Sequence, residues 1–565
     1  MPIDVNLLRA YKGGDPDKVR RSEAKRRSKP ENVDEVIRLD REWVEALQKL
    51  EQISKEKNKI DAEVKASETK RPTEEQRARS KELTVLRKEL EEAVERAAAK
   101  REEALLRIGN LLHESVPDFE KEEDHEECVT SWGDFKTPEG IISHHQALWM
   151  LGAYEPEKGS AVAGHRGYYL RGPGVLLNQA LVNYALAFLV ARGFEPVQPP
   201  YFMTKHCMAK VSQLSDFEES LYHVGEVHRG GEAAPVDEGY FLIATSEQPL
   251  CCFHQNENLS ETKLPLRYAG YSPCFRKEAG KFGVDTWGIF RVHQFDKVEQ
   301  FMVTEPDEEI SYAALEQLRT NAEDFLKSLN LPFKTINVVA GELNLAAAKK
   351  YDINAWFPSL NTHKELVSAS NCTDYQSRAT DTYINKNGEK QPVHLLNATL
   401  CALTRTICCI VENHQGTREV ELPDGTKRVE RGVHVPEVLR PYMAGTTFLP
   451  FVREPRDFGQ QKPATKTEAR KKGEAMQKEQ KKKAQDTEEA PKSPSATKVA
   501  EPQKQSPKPV AEVKPQEKTE SAPARRPSVY KVAGQEYSTF VVELADKTFD
   551  SVQAYVEYLN SKGKQ

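Results

Sequence analysis

Between Val33 and Val64 a hydrophobic seam recurs at alternating spacings of three and four. Val36, Leu39, Trp43, Ala46, Leu50, Ile53, Ile60 and Val64 lie on it, with Lys57 at one position. A seam of this period must be covered by a second helix. The chain supplies one at once. Pro72, Thr73 and Gln76 carry the capping-box signal of a helix start, and Leu83, Leu86, Leu90, Val94, Ala98, Leu105, Ile108 and Leu112 follow on one stripe. So short a break predicts an antiparallel helical hairpin. Thirty-odd residues at about 1.5 Å each make an arm on the order of 50 Å long. Basic residues stud its outer faces, including Lys65, Lys70, Arg71 and Arg77 near the turn, with acids between them. That pattern alone suits a solvated coiled coil held by i,i+4 pairs.

The rest of the chain has room for more than one further domain, at 565 residues and 38% hydrophobic. Residues 120–455 mix strand-like and helical segments with Gly and Pro punctuation, which suits an α+β domain around an antiparallel sheet. No apolar run is expected to reach membrane-spanning length, and the first residues lack the basic-then-apolar order of a signal peptide. A net charge of −6 gives no global attraction for nucleic acid, so any such contact needs a local basic surface. Nine cysteines without a CxxC pair point to reduced thiols and a cytoplasmic setting. His144, His145, His165, His293 and His394 show no metal-ligand spacing, so no zinc is expected.

The stretch Tyr268–Phe301 reads YAGYSPCFRKEAGKFGVDTWGIFRVHQFDKVEQF. Two β-prone runs flank a polar connection with Lys277, Glu278, Lys281, Gly283, Asp285 and Thr286, which predicts an antiparallel hairpin. Arg276 and Glu278 are placed on one face of the first strand, and Arg291, His293 and Phe295 on one face of the second. An arginine able to grip phosphate bidentately, beside an acid and an aromatic ring, suggests a nucleotide site. Charge pairs on a surface hairpin would read the same way.

FRKE, a loop and GIFRVHQFDKVEQF together resemble motif 2 of the class II aminoacyl-tRNA synthetases, in its seryl-tRNA synthetase form. Four other strings support the resemblance in the expected order. Leu176–Arg192 with Gly193–Pro200 is similar to motif 1. Thr245-Ser246-Glu247 matches a TSE signature, and Glu365-Leu366-Val367-Ser368 leads into SNCTDYQ. Asn397–Arg405 is similar to motif 3, with Ala398, Leu400 and Thr404 in place of its usual glycines; the run before Arg405 is read as helical.

The resemblance implies a serine–tRNA ligase that forms seryl-adenylate from L-serine and ATP and passes serine to tRNA(Ser), and also to tRNA(Sec). Arg276, Glu299 and Arg405 would be catalytic. Thr245, Glu247, Arg276, Glu299 and Asn397 would bind L-serine. ATP would meet Arg276, Lys277, Glu278, Val292, His293, Gln294, Phe295, Glu365, Leu366, Val367, Ser368 and Arg405. Glu365 and Ser368 would hold Mg²⁺, and Lys65, Lys70, Arg71 and Arg77 on the arm would contact tRNA phosphates. Motif 1 implies a homodimer. The expected α+β organisation is an antiparallel α-helical coiled-coil arm in residues 1–120 and a class II catalytic domain on an antiparallel β-sheet in 121–458.

Residues 460–527 contain no Phe, Trp, Tyr, Ile or Leu, which predicts a disordered linker (residues 459–527). Residues 528–565 recover hydrophobicity as a small module of two strands and a helix bearing Phe549, Val552, Tyr555, Val556 and Leu559, suited to protein docking. A threonyl or prolyl enzyme is disfavoured by the pocket string and by the absence of a folded anticodon-binding domain after motif 3. A non-catalytic homologue would have lost at least one of Arg276, Glu299, Glu365 and Arg405.

Overall fold

A computed structural model describes residues 3–67, 70–213, 220–225, 239–278 and 287–458, and the backbone of four short strands between Val529 and Phe549. These fall into two compact units, one within residues 1–475 and one within 476–565.

The arm is built as its seam dictates. After a first helix, Pro16–Lys25, the helices Glu31–Ala66 and Glu74–Leu105 pack antiparallel. The capping box forms in both directions: Thr73 Oγ1 accepts from the Gln76 N–H at 3.2 Å, and Gln76 Oε1 from the Thr73 N–H at 3.0 Å. Lys57, the polar seam residue, donates across the seam to Thr84 Oγ1 at 3.0 Å. Two helices cannot bury each other fully, so most seam residues stay half-buried. Full burial is concentrated at the base, in Val33, Val36, Leu39, Ala104, Leu105 and Ile108. Ile108 and Leu112 fall beyond the second helix, where the chain turns through Gly109 and Asn110 toward the next domain.

That domain is organised by an eight-stranded sheet. Its order runs Glu127–Trp132, Phe333–Asn337, Lys349–Phe357, Thr362–Asn371, His394–Ala402, Gln294–Thr304, Leu266–Phe275, Glu195–Val197. Every pairing is antiparallel except the last, at the edge. Period-2 alternation divides the central strand Gln294–Thr304 cleanly. Val298 and Met302 enter the core beneath the helices Pro173–Val190, Glu308–Ser328 and Leu403–Asn413, while Lys297 and Glu299 project from the other face.

Three expectations are corrected. The helix Pro173–Val190 is long and apolar enough, by length and composition, to cross a membrane. Leu177, Leu181, Ala185 and Leu189 bury it in the central core, which accounts for its composition. The run before Arg405 is a strand, His394–Ala402, buried on both faces; the helix begins only at Leu403. An unbroken apolar run has no period by which to tell these apart. In the second unit four strands pair as two hairpins, Val529–Val532 with Gln535–Ser538 and Val542–Leu544 with Lys547–Phe549. Phe549 is thus in a strand, and the rest of the expected helix lies outside the described residues, as does the linker 459–527.

Candidate active site

The predicted hairpin forms: Leu266–Phe275 pairs with Gln294–Thr304, with Glu299 opposite Gly270 and Lys297 opposite Ser272. Lys281, Gly283, Asp285 and Thr286 lie outside the described residues. Gly270 matters for what it lacks. A Cβ there would sit 2.8 Å from Leu250 Cδ1 and 2.9 Å from Ser246 Oγ. Its absence lets the Thr245–Glu247 turn lie against the sheet beside Glu299.

Two bulges complete the wall. Ile353 pairs with Val367 but Asn354 with Glu365, leaving Leu366 as an extra residue. In a regular strand Glu365 and Ser368 would point to opposite faces; the bulge re-aims Glu365 to the face of Ser368 and Ser370. In the same way Val298 pairs with Cys401 and Glu299 with Thr399, so Leu400 is extra and Asn397 and Thr399 stand beside Glu299.

These elements enclose a cavity of about 300 Å³. It is lined by Thr245, Glu247, Arg276, Glu278, Val292, Phe295, Glu299, Glu365, Leu366, Ser368, Asn397 and Arg405, twelve of the expected site residues drawn from four separate segments. Lys277, His293, Gln294 and Val367 do not line it. His293 and Gln294 face a separate cavity, where the Tyr222 hydroxyl meets the His293 ring at 3.0 Å. The Lys277 N–H donates to Ser220 O, and Val367 is buried in the core behind the sheet.

Arg276 sits just beyond its strand, its N–H bonded to His293 O. Its guanidinium lies 5.4 Å from the Phe295 ring centre, with Nε 3.4 Å from Ala244 O. Glu278 does not share a strand face with it: its φ is +50°, and its carboxylate accepts from Arg291 Nη1 at 2.8 Å. Arg405 Nη1 donates to Glu365 O at 2.9 Å, and its guanidinium lies 5.0 Å from the Phe290 ring centre. Burial opposes the charge on Glu365, but Arg405, Lys350 and Arg276 outweigh it and hold the carboxyl below its ordinary range. Glu247 is the converse. Burial pushes it up, although Gln376 Nε2 donates to it at 2.8 Å.

Several lining residues escaped the sequence reading. Lys297 forms an ion pair with Glu299; strand alternation between Phe295 and Glu299 is the signal that picks it out. Lys350, Phe290 and Thr399 also line the cavity, as does Arg291, which the sequence placed on the hairpin without assigning it to the site. Acids able to take an ammonium thus meet several cations able to take phosphates in a space of nucleotide dimensions. Lys65, Lys70, Arg71 and Arg77 are exposed at the far end of the arm.

Residues 3–112 match the family model for the seryl-tRNA synthetase N-terminal domain, and residues 232–414 that for the class II tRNA synthetase core domain (G, H, P, S and T). The cytoplasmic serine–tRNA ligase of Arabidopsis thaliana is 46% identical, covering 80% of this chain and 97% of its own. That of Dictyostelium discoideum is 45% identical over 80% and 96%. Among solved structures, the cytoplasmic serine–tRNA ligase of Naegleria fowleri in complex with AMP aligns with a TM-score of 0.69 and 42% identity, covering 80% of this chain and all of that one. The seryl-tRNA synthetase of Pyrococcus horikoshii complexed with ATP aligns at 0.69 and 35%, with the same coverage. With its two family domains in order and this degree of likeness along nearly the whole length of its relatives, the chain belongs to the seryl-tRNA synthetases, a family of class II aminoacyl-tRNA synthetases.

Proposed function

We propose that this chain is a cytoplasmic serine–tRNA ligase whose 300 Å³ cavity activates serine. The observation that carries the reading is the convergence of Arg276, Glu299, Glu365 and Arg405 on one cavity. The serine carboxylate attacks the α-phosphorus of ATP, forming seryl-adenylate as the bond to pyrophosphate breaks. The terminal adenosine hydroxyl of tRNA(Ser), or of tRNA(Sec), then attacks the seryl carbonyl and AMP leaves. Arg276 holds the α-phosphate and Arg405 the far end of the triphosphate. Phe295 stacks on adenine, with Glu278 at its edge. Glu247 and Glu299 attract the ammonium, while Thr245 and Asn397 close a pocket too small for larger side chains. Such a site works by positioning and by charge stabilisation, with no covalent enzyme intermediate.

Glu365 and Ser368, brought to one face by the bulge, offer hard oxygen donors. That suits Mg²⁺, which takes few protein ligands and keeps waters and substrate phosphates. Bound with ATP, the ion would neutralise charge on the leaving pyrophosphate. The helix Pro173–Val190 leaves Val175, Leu176 and Val190 exposed, an apolar face that a second copy would cover in a homodimer. The division into arm (1–120), catalytic domain (121–458), linker (459–527) and docking module (528–565) belongs to the same proposal.

Amino-acid-dependent ATP–pyrophosphate exchange without tRNA tests the reading. Serine is expected to support exchange; threonine is not, because its methyl exceeds the pocket, and alanine and cysteine are not, because they leave the groups that meet the hydroxyl unpaired. Exchange with none of them would sink it.

The raised Glu247 gives a pH prediction. As pH falls through that raised value, the carboxylate takes up a proton and loses its hold on the ammonium. The serine KM should therefore climb at a higher pH than an ordinary glutamate near 4.5 would dictate, and Glu247→Gln should remove that dependence. An unchanged profile in the variant would assign the titration elsewhere.

On the arm, replacing Lys65, Lys70 and Arg71 by alanine should weaken tRNA charging and flatten its log–log salt slope by about 1 per lost phosphate contact. Serine-dependent exchange should survive. Equal damage to both steps would mean that these residues support the fold.

A further inference from the structure

The base of the arm is bonded to the wall of the cavity through an unusual run of backbone. The carbonyls of five consecutive residues, 344–348, all accept from the N-terminal region. Arg26 Nη1 donates to Asn344 O at 2.9 Å and Arg26 Nη2 to Ala347 O at 2.6 Å. The Asn110 N–H donates to Leu345 O at 2.7 Å, and Asn110 Nδ2 to Ala346 O at 2.9 Å. The His113 N–H donates to Ala348 O at 3.0 Å. Arg26 and Asn110 are 6% and 4% exposed, so these bonds are shielded from competing water.

Among the described residues Arg26 has no carboxylate partner in its hydrogen bonds; its fork is spent on the carbonyls of Asn344, Ala347 and Asn110. Gly109 makes room for it, since a Cβ there would lie 2.7 Å from Arg26 Nε. Asn344, at the head of this run, lines the 300 Å³ cavity.

A second branch leaves the same asparagine. Asn110 Nδ2 also donates to Cys372 O at 2.8 Å and lies 2.9 Å from Thr373 Oγ1. The Tyr375 hydroxyl donates back to Ile108 O at 3.1 Å. The next residue, Gln376, holds the Glu247 carboxylate at 2.8 Å. Both branches thus end at the amino-acid side of the cavity, one on Asn344 and one on Glu247.

We propose that Arg26 and Asn110 are positioning residues for serine binding: from the foot of the arm they set the backbone that places Asn344 and, through Gln376, Glu247. The inference rests on the serine-activating reading above and adds to it a dependence on residues outside the catalytic domain. Neither side chain lines the cavity, so their effect falls on the fit of the pocket.

The test is serine-dependent pyrophosphate exchange by the full chain, without tRNA, in Arg26→Met and Arg26→Lys. KM is read separately from kcat because an unfolded fraction lowers apparent kcat and leaves KM unchanged. Arg26→Met is expected to raise the serine KM about tenfold, the signature of binding lost equally from ground state and transition state when a pocket wall shifts. Arg26→Lys keeps the charge and part of the donor set, and should recover most of that loss. In both, kcat per folded molecule should stay within about twofold, since the groups around the phosphates are untouched. Should Arg26→Met fold poorly, the serine KM read on its folded fraction still decides, because KM does not depend on how much of the protein is folded. An unchanged serine KM in both variants, with kcat falling in step with folded protein, would overturn the proposal. Absence of serine-dependent exchange in the unaltered chain is a different result, and would overturn the serine-activating reading together with this one.

Discussion

Pyrophosphate exchange by the Arg276→Ala protein is expected to fall about 10³-fold in kcat/KM, the loss typical of removing one preorganised donor to a developing charge. The geometry explains why the cost lands on catalysis. Arg276 is half-buried beyond its strand, and among the described residues its guanidinium makes one long hydrogen bond, to Ala244 O at 3.4 Å, besides its contact with the Phe295 ring. The side chain lines the cavity, and among the described residues most of its donor capacity is unspent on the fold. The backbone bond from Arg276 N to His293 O does not depend on the side chain, so the hairpin should survive. Arg276→Lys should rescue little, because a single ammonium cannot reproduce a planar fork against a phosphate. Thermal melting alongside the kinetics checks the assignment. Exchange falling less than about tenfold, with melting unchanged, would remove Arg276 from the catalytic set.

The largest effect on stability is expected at the foot of the arm. Asp40 is buried between two arginines: Arg9 grips it bidentately at 2.8 and 2.7 Å, and Arg101 Nη1 reaches it at 3.1 Å. Both guanidinium groups also lie against Trp43, at 5.7 and 4.4 Å from its ring centre. Asp40→Ala would leave two buried like charges with nothing between them, which costs about 3–5 kcal/mol in comparable cases. The urea midpoint of the helical signal reads this out, and a shift below about 1 kcal/mol would mean that the cluster behaves as a surface pair. The pH dependence has a definite sign. Burial raises the Asp40 titration point, but the arginines more than offset it and leave it below the ordinary 3.8. Its stabilisation is therefore complete above that value and is lost as the pH falls through the depressed one.

Local rules recovered the elements whose causes are local. The seam, the capping box at Thr73 and Gln76, and the hairpin from Leu266 to Thr304 all follow from spacing and side-chain chemistry within a few residues. The cavity was legible as a set of residues only through likeness to a family. Its geometry was not legible, because it depends on departures from regularity. Strict alternation separates Glu365 from Ser368, and only the extra Leu366 unites them. The run His394–Ala402 carries no polar phase, so its period could not mark it as a strand. Glu278 left the strand face because its left-handed backbone turns it toward Arg291. Pairings such as Arg26 with Asn344 join residues hundreds of positions apart, beyond the reach of any periodicity.

The uneven burial along the arm has a mechanical meaning. A helix of 36 residues spans about 54 Å, so each degree of tilt at its foot displaces the far end by about 1 Å. The stiffest packing, around Asp40 and Trp43, lies where the lever is shortest, and beyond it two helices support each other through a half-covered seam. Such a lever delivers its tip to a region several ångströms wide. Final alignment there would fall to whatever the tip takes up, while the foot stays bonded to the backbone at the cavity wall.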